Sequence, residues 1–199
     1  MSRRLVLILL ATVALVAVVV VGLSQAPESP SPATGGETHP LDQAAVREKL
    51  GGAPPQLASL HRRANELLPG ALPTLDEELR AVRGHPAVVN VWAAWCGPCL
   101  VEFPYVQQAS LDYGSRVAFL GVDYQDNRER AQRLLRRVPL TFPSVEDPKG
   151  KAKPRYKLLG PPATIFFDAR GKQVFVHSGA YPDKQALADD IERYALGRA

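Results

Sequence analysis

The chain has 199 residues, of which 46% are hydrophobic and 22% charged, and its formal net charge is +4. This length is enough for one domain with a buried core of its own. The net charge is small and no nucleic-acid-binding motif accompanies it, so we expect no nucleic-acid partner. The two cysteines lie three residues apart, which excludes a framework of structural disulfides.

The N-terminal segment has the features of a membrane anchor. Residues 5–23 carry no charge and follow two arginines. As a helix this run would be about 28 Å long, close to the thickness of the hydrocarbon core of a bilayer. We predict that residues 1–23 are a cytoplasmic start and a single transmembrane helix, which places the protein in the cell membrane with its C-terminal domain extracytoplasmic. The alternative is a cleaved signal segment, although Pro27 makes the small-residue site at residues 24–26 unfavourable.

Residues 24–55 are predicted to form a linker, because the first half of this segment is rich in proline, serine and glycine. Residues 41–50 allow one short helix within it. Residues 56–199 are then predicted to form the folded domain, which begins with a helical extension. Apolar spacing predicts a helix over residues 56–68, and the T-x-x-E sequence at residues 74–77 predicts a second helix that is capped there.

The stretch VVNVWAAWCGPCLVEFP at residues 88–104 is the most informative part of the chain. Its β-branched run predicts a buried strand, and a helix follows the turn that holds the cysteines. A strand, a turn with C-x-x-C and a helix form a typical redox layout. The free N–H groups and partial positive charge at a helix start stabilise a thiolate. Cys96 is therefore predicted to be the attacking nucleophile, and Cys99, one turn deeper, the resolving thiol.

Three other interpretations of the cysteine pair are less favoured. A zinc site would need further ligands, but no second cysteine pair exists and the four histidines lack metal-ligand spacing. A purely structural bridge that closes so short a loop would stabilise the fold little. A domain used only for binding is the third alternative. We expect no metal and no cofactor besides the Cys96–Cys99 disulfide.

The rest of the chain predicts alternating strands and helices that complete an α/β domain. Five arginines on one of these helices are interpreted as a solvated face. The predicted elements are a strand at 117–122, a helix at 127–137, an extended piece and turn at 141–148, strands at 163–167 and 174–176 joined by a hairpin, and a closing helix at 182–196.

The pattern WCGPC-x-x-E-F-P resembles the active site of thioredoxins, and at full length it is similar to the exported, membrane-tethered TlpA, ResA and CcmG-like thiol-disulfide reductases. The resemblance covers residues 74–196. It implies a thioredoxin fold, with a central mixed sheet flanked by helices and the inserted helix and strand of the TlpA-like branch.

The resemblance also implies a function. It suggests a protein-disulfide reductase that acts on exported proteins, such as apocytochrome c during cytochrome c-type biogenesis. Electrons would come from a thiol protein that relays them across the membrane. An oxidase or isomerase of the same fold stays open, because the direction depends on the reduction potential, and about 30 mV corresponds to about 1.4 kcal/mol.

A second matching motif is G-P-P-A-T-I at residues 160–165. In the family, the proline of P-x-T is cis and lies against the cysteines, which assigns this role to Pro162. Pro161 precedes it and has no N–H, so one backbone hydrogen bond to a bound substrate strand would be lost. The residues implied for the substrate groove are Trp95, Gly97, Pro98, Pro161 and Pro162.

Glu102 is the third catalytic residue that the resemblance implies, because a glutamate at this place in the reductases helps to move protons for the buried thiol. A carboxyl group in an apolar setting would have a raised pKa, which suits acid–base work. The alternative is a solvated charge on the helix surface. Asn90 stands where cytoplasmic thioredoxins have a buried acid, which shifts the acid–base role toward Glu102. Trp95 is expected to pack beside the disulfide, the alternative being an ordinary core aromatic.

Overall fold

The structure is a computed structural model that describes residues 43–198. The predicted membrane anchor and the first part of the predicted linker lie outside these residues. Between residues 43 and 198, no helix is both long and apolar enough to cross a bilayer.

The described chain alternates helices and strands in the order that an α/β domain requires. A π-helical segment, Ile191–Ala195, continues the last helix. The elements are α1 (Gln43–Leu50), α2 (Pro55–Arg62), β1 (Leu67–Leu68), α3 (Ala71–Ala81), β2 (Ala87–Trp92), α4 (Gly97–Tyr113), β3 (Ala118–Tyr124), α5 (Arg128–Arg137), β4 (Ser144–Asp147), α6 (Ala152–Tyr156), β5 (Ala163–Phe167), β6 (Gln173–Ser178) and α7 (Lys184–Asp190).

The six strands of the described residues form one mixed sheet in the order β1-β4-β3-β2-β5-β6. Strands β1, β4, β3 and β2 are parallel to one another, whereas β5 runs antiparallel to β2 and to β6. The predicted mixed sheet with flanking helices is confirmed. The inserted helix and strand are also present, as α5 and β4 between β3 and β5.

Alternation of side chains along the buried strands divides the core into two layers. On β2, Val88 and Trp92 face α4, α5 and α7, whereas Val89 and Val91 face α2, α3 and α6. We call the side covered by α4, α5 and α7 the cysteine face. Because the central strands are covered on both sides, the cysteine-bearing helix starts from a rigid support.

The helix predicted at residues 56–68 is wrong beyond its second turn, because α2 ends at Arg62 and Leu67 and Leu68 form strand β1. Asn65 adopts a left-handed φ of 65°, which asparagine tolerates better than most residues. Its side chain accepts a hydrogen bond from the N–H of Leu140 at 2.9 Å, which fixes the turn against the main body of the domain. Leu67 and Leu68 therefore pair with β4 as a short strand and do not extend helix α2.

The predicted capping box at residues 74–77 is also wrong. Helix α3 begins at Ala71, after Gly70 in a left-handed conformation with φ of 101°. The hydroxyl of Thr74 donates to the carbonyl of Pro69 at 2.7 Å instead of capping the helix. Because Gly70 tolerates this left-handed conformation, the helix begins at Ala71, about one helical turn before Thr74.

Helix α1 falls inside the segment predicted as a linker, where the sequence allowed one short helix. Leu50 at its end is buried, and Lys49 forms an ion pair with Asp112 of α4. The predicted closing helix at 182–196 is present as α7 and the π-helical segment that continues it; α7 begins after Asp183, whose carboxylate accepts from the N–H of Ala186.

Candidate active site

The two cysteines form a disulfide at the start of α4. Cys96 is the N-cap residue, and its sulfur accepts a hydrogen bond from the backbone N–H of Cys99 at 3.3 Å. Cys96 retains 4% exposure, whereas Cys99 is fully buried. The predicted placement of Cys96 at the helix start and of Cys99 one turn deeper is confirmed. Cys96 is the sulfur that an incoming disulfide could reach.

The surface around Cys96 is apolar. Trp95 is 48% exposed, and its indole N–H donates to the carbonyl of Gln125 at 3.1 Å, so it is not a core aromatic. Gly97 and Pro98 are exposed at the first turn of α4, and Leu100 and Val101 extend the apolar surface along the helix.

The peptide bond between Pro161 and Pro162 is cis, as the resemblance implies. Both prolines line an open groove of about 360 Å³ together with Leu159, Ser178 and Gly179. Leu159 is 80% exposed. The carbonyl of Pro162 accepts from the N–H of Gly179, which holds this loop to the end of β6. The groove thus offers apolar side chains, but Pro161 offers no backbone donor.

Glu102 is fully buried in α4, so the alternative of a solvated helix charge is wrong. Its Oε1 accepts from the side-chain amide of Asn90 at 2.8 Å, and its Oε2 accepts from the backbone N–H of Tyr181 at 3.2 Å. Burial raises the pKa of the Glu102 carboxyl to about 7, although these two hydrogen bonds act to lower it. Because Cys99 lies three residues earlier in the same helix, both side chains occupy one buried stripe.

Strand register places a glycine and three polar residues in one row across the cysteine face. Gly121, Asn90, Thr164 and His177 are successive partners on β3, β2, β5 and β6. Partners directly opposite in antiparallel strands point to the same face with Cβ atoms about 5 Å apart. The row therefore leads from the amide that holds Glu102 toward the outer strand of the sheet.

At the outer end of this row, His177 is 27% exposed and its Nδ1 lies 3.4 Å from the carboxylate of Asp190. The hydroxyl of Tyr181 donates to the same carboxylate oxygen at 2.8 Å, and the His177 ring stacks on the Tyr181 ring. His177 is therefore paired and half-buried. Tyr181 connects Glu102 and Asp190, because its backbone N–H donates to Glu102 and its hydroxyl donates to Asp190.

A second buried carboxyl group, Asp123, lies at the end of β3 on the cysteine face. Burial first, and then the charges of Asp126 and Glu146, raise the pKa of Asp123 to about 8, while Arg130 acts to lower it. Asp126 accepts from the backbone N–H of Ala94 in the turn before the cysteines. Asp126 therefore helps to hold the turn that carries Trp95.

Sequence reasoning missed Tyr181 and both of these aspartates. The aspartates do leave a signal, because VAFLGVDYQD at residues 117–126 puts two acids at the end of a buried strand. Tyr181 left none, since it acts on Glu102 through its backbone. Among the residues that the structure describes, no group of three or more His, Cys, Asp or Glu side chains could hold a metal ion.

Comparisons with known proteins agree with this geometry. A profile of the AhpC/TSA family matches residues 73–175. The chain is 34% identical over 122 residues to the thiol:disulfide interchange protein DsbE of Allochromatium vinosum, covering 58% of this chain and 65% of that protein. It is 30% identical over 104 residues to the thiol-disulfide oxidoreductase ResA of Oceanobacillus iheyensis, covering 52% and 54%. The chain thus spans about half to two thirds of these relatives.

The same relationship holds for solved structures. A DsbE-type thiol:disulfide interchange protein from Chlorobium tepidum superposes with a TM-score of 0.53 at 32% identity, covering 57% of this chain and 82% of that one. This structure shares both the fold and about a third of the aligned residues with the chain. The chain therefore belongs to the AhpC/TSA family and carries its thioredoxin fold, with a C-x-x-C pair able to form a disulfide.

Proposed function

We propose that the protein is an extracytoplasmic thiol-disulfide oxidoreductase that reduces disulfides in exported proteins through Cys96 and Cys99. The observation that carries this proposal is the disulfide at the start of α4, in which Cys96 retains slight exposure and Cys99 has none. The relatives ResA and DsbE are a thiol-disulfide oxidoreductase and a thiol:disulfide interchange protein, which supports thiol exchange by this chain. The disulfide itself is the redox group, and no other cofactor is required.

In the proposed reaction, the Cys96 thiolate attacks one sulfur of the substrate disulfide. That bond breaks, a mixed disulfide forms, and the first substrate sulfur leaves as a thiolate. The Cys99 thiol then gives its proton to the Glu102 carboxylate and attacks Cys96. The second substrate sulfur leaves, and the Cys96–Cys99 bond forms. Two electrons pass to the substrate, whose two thiolates take their protons from the solvent.

The environment of Glu102 suits this step. A base that works near neutral pH needs a pKa near neutral pH, and burial provides it here. The carboxylate keeps two donors, from Asn90 and Tyr181, so its ionised form is tolerated inside the fold. Glu102 is therefore proposed as the group that makes the buried Cys99 reactive.

Unfolded or extended polypeptides fit the substrate surface best. Exposed apolar side chains surround the reactive sulfur, and the groove at Pro161 and Pro162 adds Leu159. Apocytochrome c is the first candidate substrate, since cytochrome c maturation is the setting that the sequence resemblance suggests. Because Pro161 has no N–H, we expect substrate binding to depend more on apolar contact than on backbone pairing.

We further propose that residues 5–23 anchor the protein in the cell membrane, with the domain on the outer side. Electrons would then reach Cys96 and Cys99 from a membrane thiol protein. A fusion of the chain to a reporter that is active only outside the cytoplasm tests this orientation. Reporter activity that is lost when the two N-terminal arginines are moved behind the apolar run supports the proposal, and activity only in the cytoplasm contradicts it.

The direction of transfer is tested by the reduction potential of the full-length protein, equilibrated with glutathione buffers and alkylated. A potential near that of thioredoxin, about −270 mV, is expected for a reductase. A potential near that of DsbA, about −120 mV, would contradict reduction and support an oxidase. A Cys96→Ser variant serves as the control, and an unreactive wild-type pair would leave only a binding role.

A further inference from the structure

The turn that carries Trp95 is bonded at two points to the loop that follows β3. We propose that Gln125 of this loop is a positioning residue, whose backbone conformation fixes the Trp95 ring beside Cys96 and so favours the binding of polypeptide disulfides over small ones. This inference rests on the proposed function and extends it to the selection of substrates.

The first observation is a pair of neighbouring hydrogen bonds. The indole N–H of Trp95 donates to the carbonyl of Gln125 at 3.1 Å, and the backbone N–H of Ala94 donates to the carboxylate of Asp126. The other oxygen of that carboxylate pairs with Arg130 of α5 at 3.1 Å. Two adjacent residues of the turn are therefore bonded to two adjacent residues of the loop, and the indole ring cannot turn away from the loop without losing a bond.

The second observation is the backbone conformation of Gln125. Its φ is 46°, in the left-handed region that residues other than glycine seldom occupy. Its N–H donates to the carbonyl of Asp147 at 2.9 Å, and its own carbonyl accepts from Trp95, so the residue is bonded on both sides. Such conformations persist where the surrounding structure holds them, and they are frequent at functional sites.

The third observation is the support behind Gln125. Its side chain lies over Gly150, where a Cβ atom would come within 2.8 Å of the glutamine side chain. Gly150 belongs to the turn between β4 and α6, and this turn is itself held, because the carboxylate of Asp147 accepts from the N–H groups of Lys151 and Ala152, both at 2.8 Å. The end of the inserted strand β4 thus supports the active-site turn through Gln125.

These contacts bear on substrate selection because Trp95 precedes Cys96 directly and is 48% exposed. A ring that is held in place before binding offers apolar surface without the cost of ordering it. A polypeptide disulfide brings neighbouring side chains to this ring, whereas hydroxyethyl disulfide has no such side chains. The position of the ring should therefore matter for the first substrate and not for the second.

The position of the ring is tested by the two indole N–H signals in proton–nitrogen NMR spectra of the oxidised full-length protein. The indole of Trp92 donates to Ser144, so its signal is an internal control. Gln125→Val puts a β-branched residue at a left-handed φ, which should displace the carbonyl and shift the Trp95 signal toward that of a free indole. Gln125→Gly tolerates the native conformation and should keep the wild-type signal. Equal signals in the two variants would overturn the role of Gln125.

Substrate selection is measured by the oxidation of the reduced full-length protein, which is quenched with acid and alkylated, over a range of substrate concentrations. With an unfolded disulfide-bonded polypeptide, Gln125→Val should raise the half-saturating concentration about fivefold, the size expected for one lost hydrogen bond, and leave the maximal rate unchanged. Its rate with hydroxyethyl disulfide should equal that of the wild type. Gln125→Gly, the conservative variant, should restore wild-type behaviour with the polypeptide. Equal slowing with both substrates in Gln125→Val would overturn the role in selection.

Trp95→Phe gives an independent test, because it keeps an aromatic ring but has no N–H to donate. It should raise the half-saturating concentration for the polypeptide as Gln125→Val does. The double variant should be no worse than either single variant, since both substitutions remove the same bond. Additive losses would show that the two residues act separately and would overturn the inference.

The matched control for backbone strain is Ala71→Val. It puts the same β-branched residue at another left-handed position, with φ of 55°, at the start of α3 on the opposite face of the sheet. It should change neither the Trp95 signal nor the half-saturating concentration, and a change in both would show that Gln125→Val acts only by weakening the fold. A wild-type protein that neither substrate oxidises would instead contradict the proposed function, and the indole signals would still decide whether Gln125 positions the ring.

Discussion

Glu102 and Asp123 are two buried carboxyl groups on the same face of one sheet, and they differ in what surrounds them. Glu102 accepts two hydrogen bonds, and burial alone raises its pKa, to about 7. Asp123 has an unpaired oxygen, and the neighbouring charges of Asp126 and Glu146 add to burial in raising its pKa to about 8. Near neutral pH the first group can gain or lose a proton, whereas the second is mostly neutral. We therefore expect Glu102 to act as an acid–base residue and Asp123 to have a structural role.

The largest expected difference between the two sites is in the exchange reaction. Glu102→Gln removes the proton acceptor and should slow closure by Cys99 about 10²-fold at pH 7. Asp123→Asn should leave the rate of closure unchanged, because Asp123 takes no part in the proposed transfer. Stopped-flow measurement of thionitrobenzoate release decides between them. Equal slowing by both substitutions would show that Glu102 and Asp123 do not differ in their role in closure.

The second-largest expected difference between Asp123 and Glu102 is in how the free energy of unfolding depends on pH. A carboxyl whose pKa is raised by folding stabilises the fold fully below its unfolded pKa, and this contribution is lost as pH rises through the folded pKa. For Asp123 this stabilisation is lost between pH 3.8 and about pH 8. Asp123→Asn should therefore gain about 2–4 kcal/mol of unfolding free energy between pH 5 and pH 9, relative to the wild type.

For Glu102 the stabilisation is lost over a narrower pH range, from pH 4.5 to about pH 7. The gain for Glu102→Gln should be smaller, about 1–3 kcal/mol, and complete near pH 8. Urea unfolding of the oxidised full-length protein at several pH values measures both. A pH dependence identical to that of the wild type in either variant would show that the carboxyl it lacks is not buried as described.

Charge and hydrogen bonding can then be tested separately. Asp126→Asn removes a negative neighbour and should lower the pKa of Asp123 by about one unit, because like charges disfavour ionisation. It should leave the pKa of Glu102 in place. Carboxyl-carbon NMR titration of both side chains measures the two shifts. A shift at Glu102 instead would mean that the two sites are coupled.

The smallest effect is expected at Asn90. Asn90→Ala removes a donor to the ionised form of Glu102, so the pKa of Glu102 should rise by about half a unit to one unit. The pH at which closure by Cys99 reaches half its maximal rate should rise with it. The matched control is Thr164→Ser, which retains the hydroxyl and should leave that midpoint where the wild type has it. A midpoint that falls in Asn90→Ala would contradict the hydrogen bond.

Much of this site could be predicted from the sequence because it depends on local order. The strand before Cys96, the helix after it and the cis bond at Pro162 follow from adjacent residues or from a motif. The burial of Glu102 and its contact with Tyr181, 79 residues later, depend on how α7 closes over α4. The same limit explains β1, since Leu67 and Leu68 take their conformation from pairing with β4.

In the proposed reaction, Cys96 attacks a protein disulfide and Cys99 resolves the product. The most direct test mixes reduced full-length Cys99→Ser and Cys96→Ser proteins, separately, with an unfolded disulfide-bonded substrate and resolves the products on a non-reducing gel. A mixed disulfide should accumulate through Cys96 in the Cys99→Ser protein, and none should form in the Cys96→Ser protein. Accumulation through Cys99, or in neither protein, would contradict it.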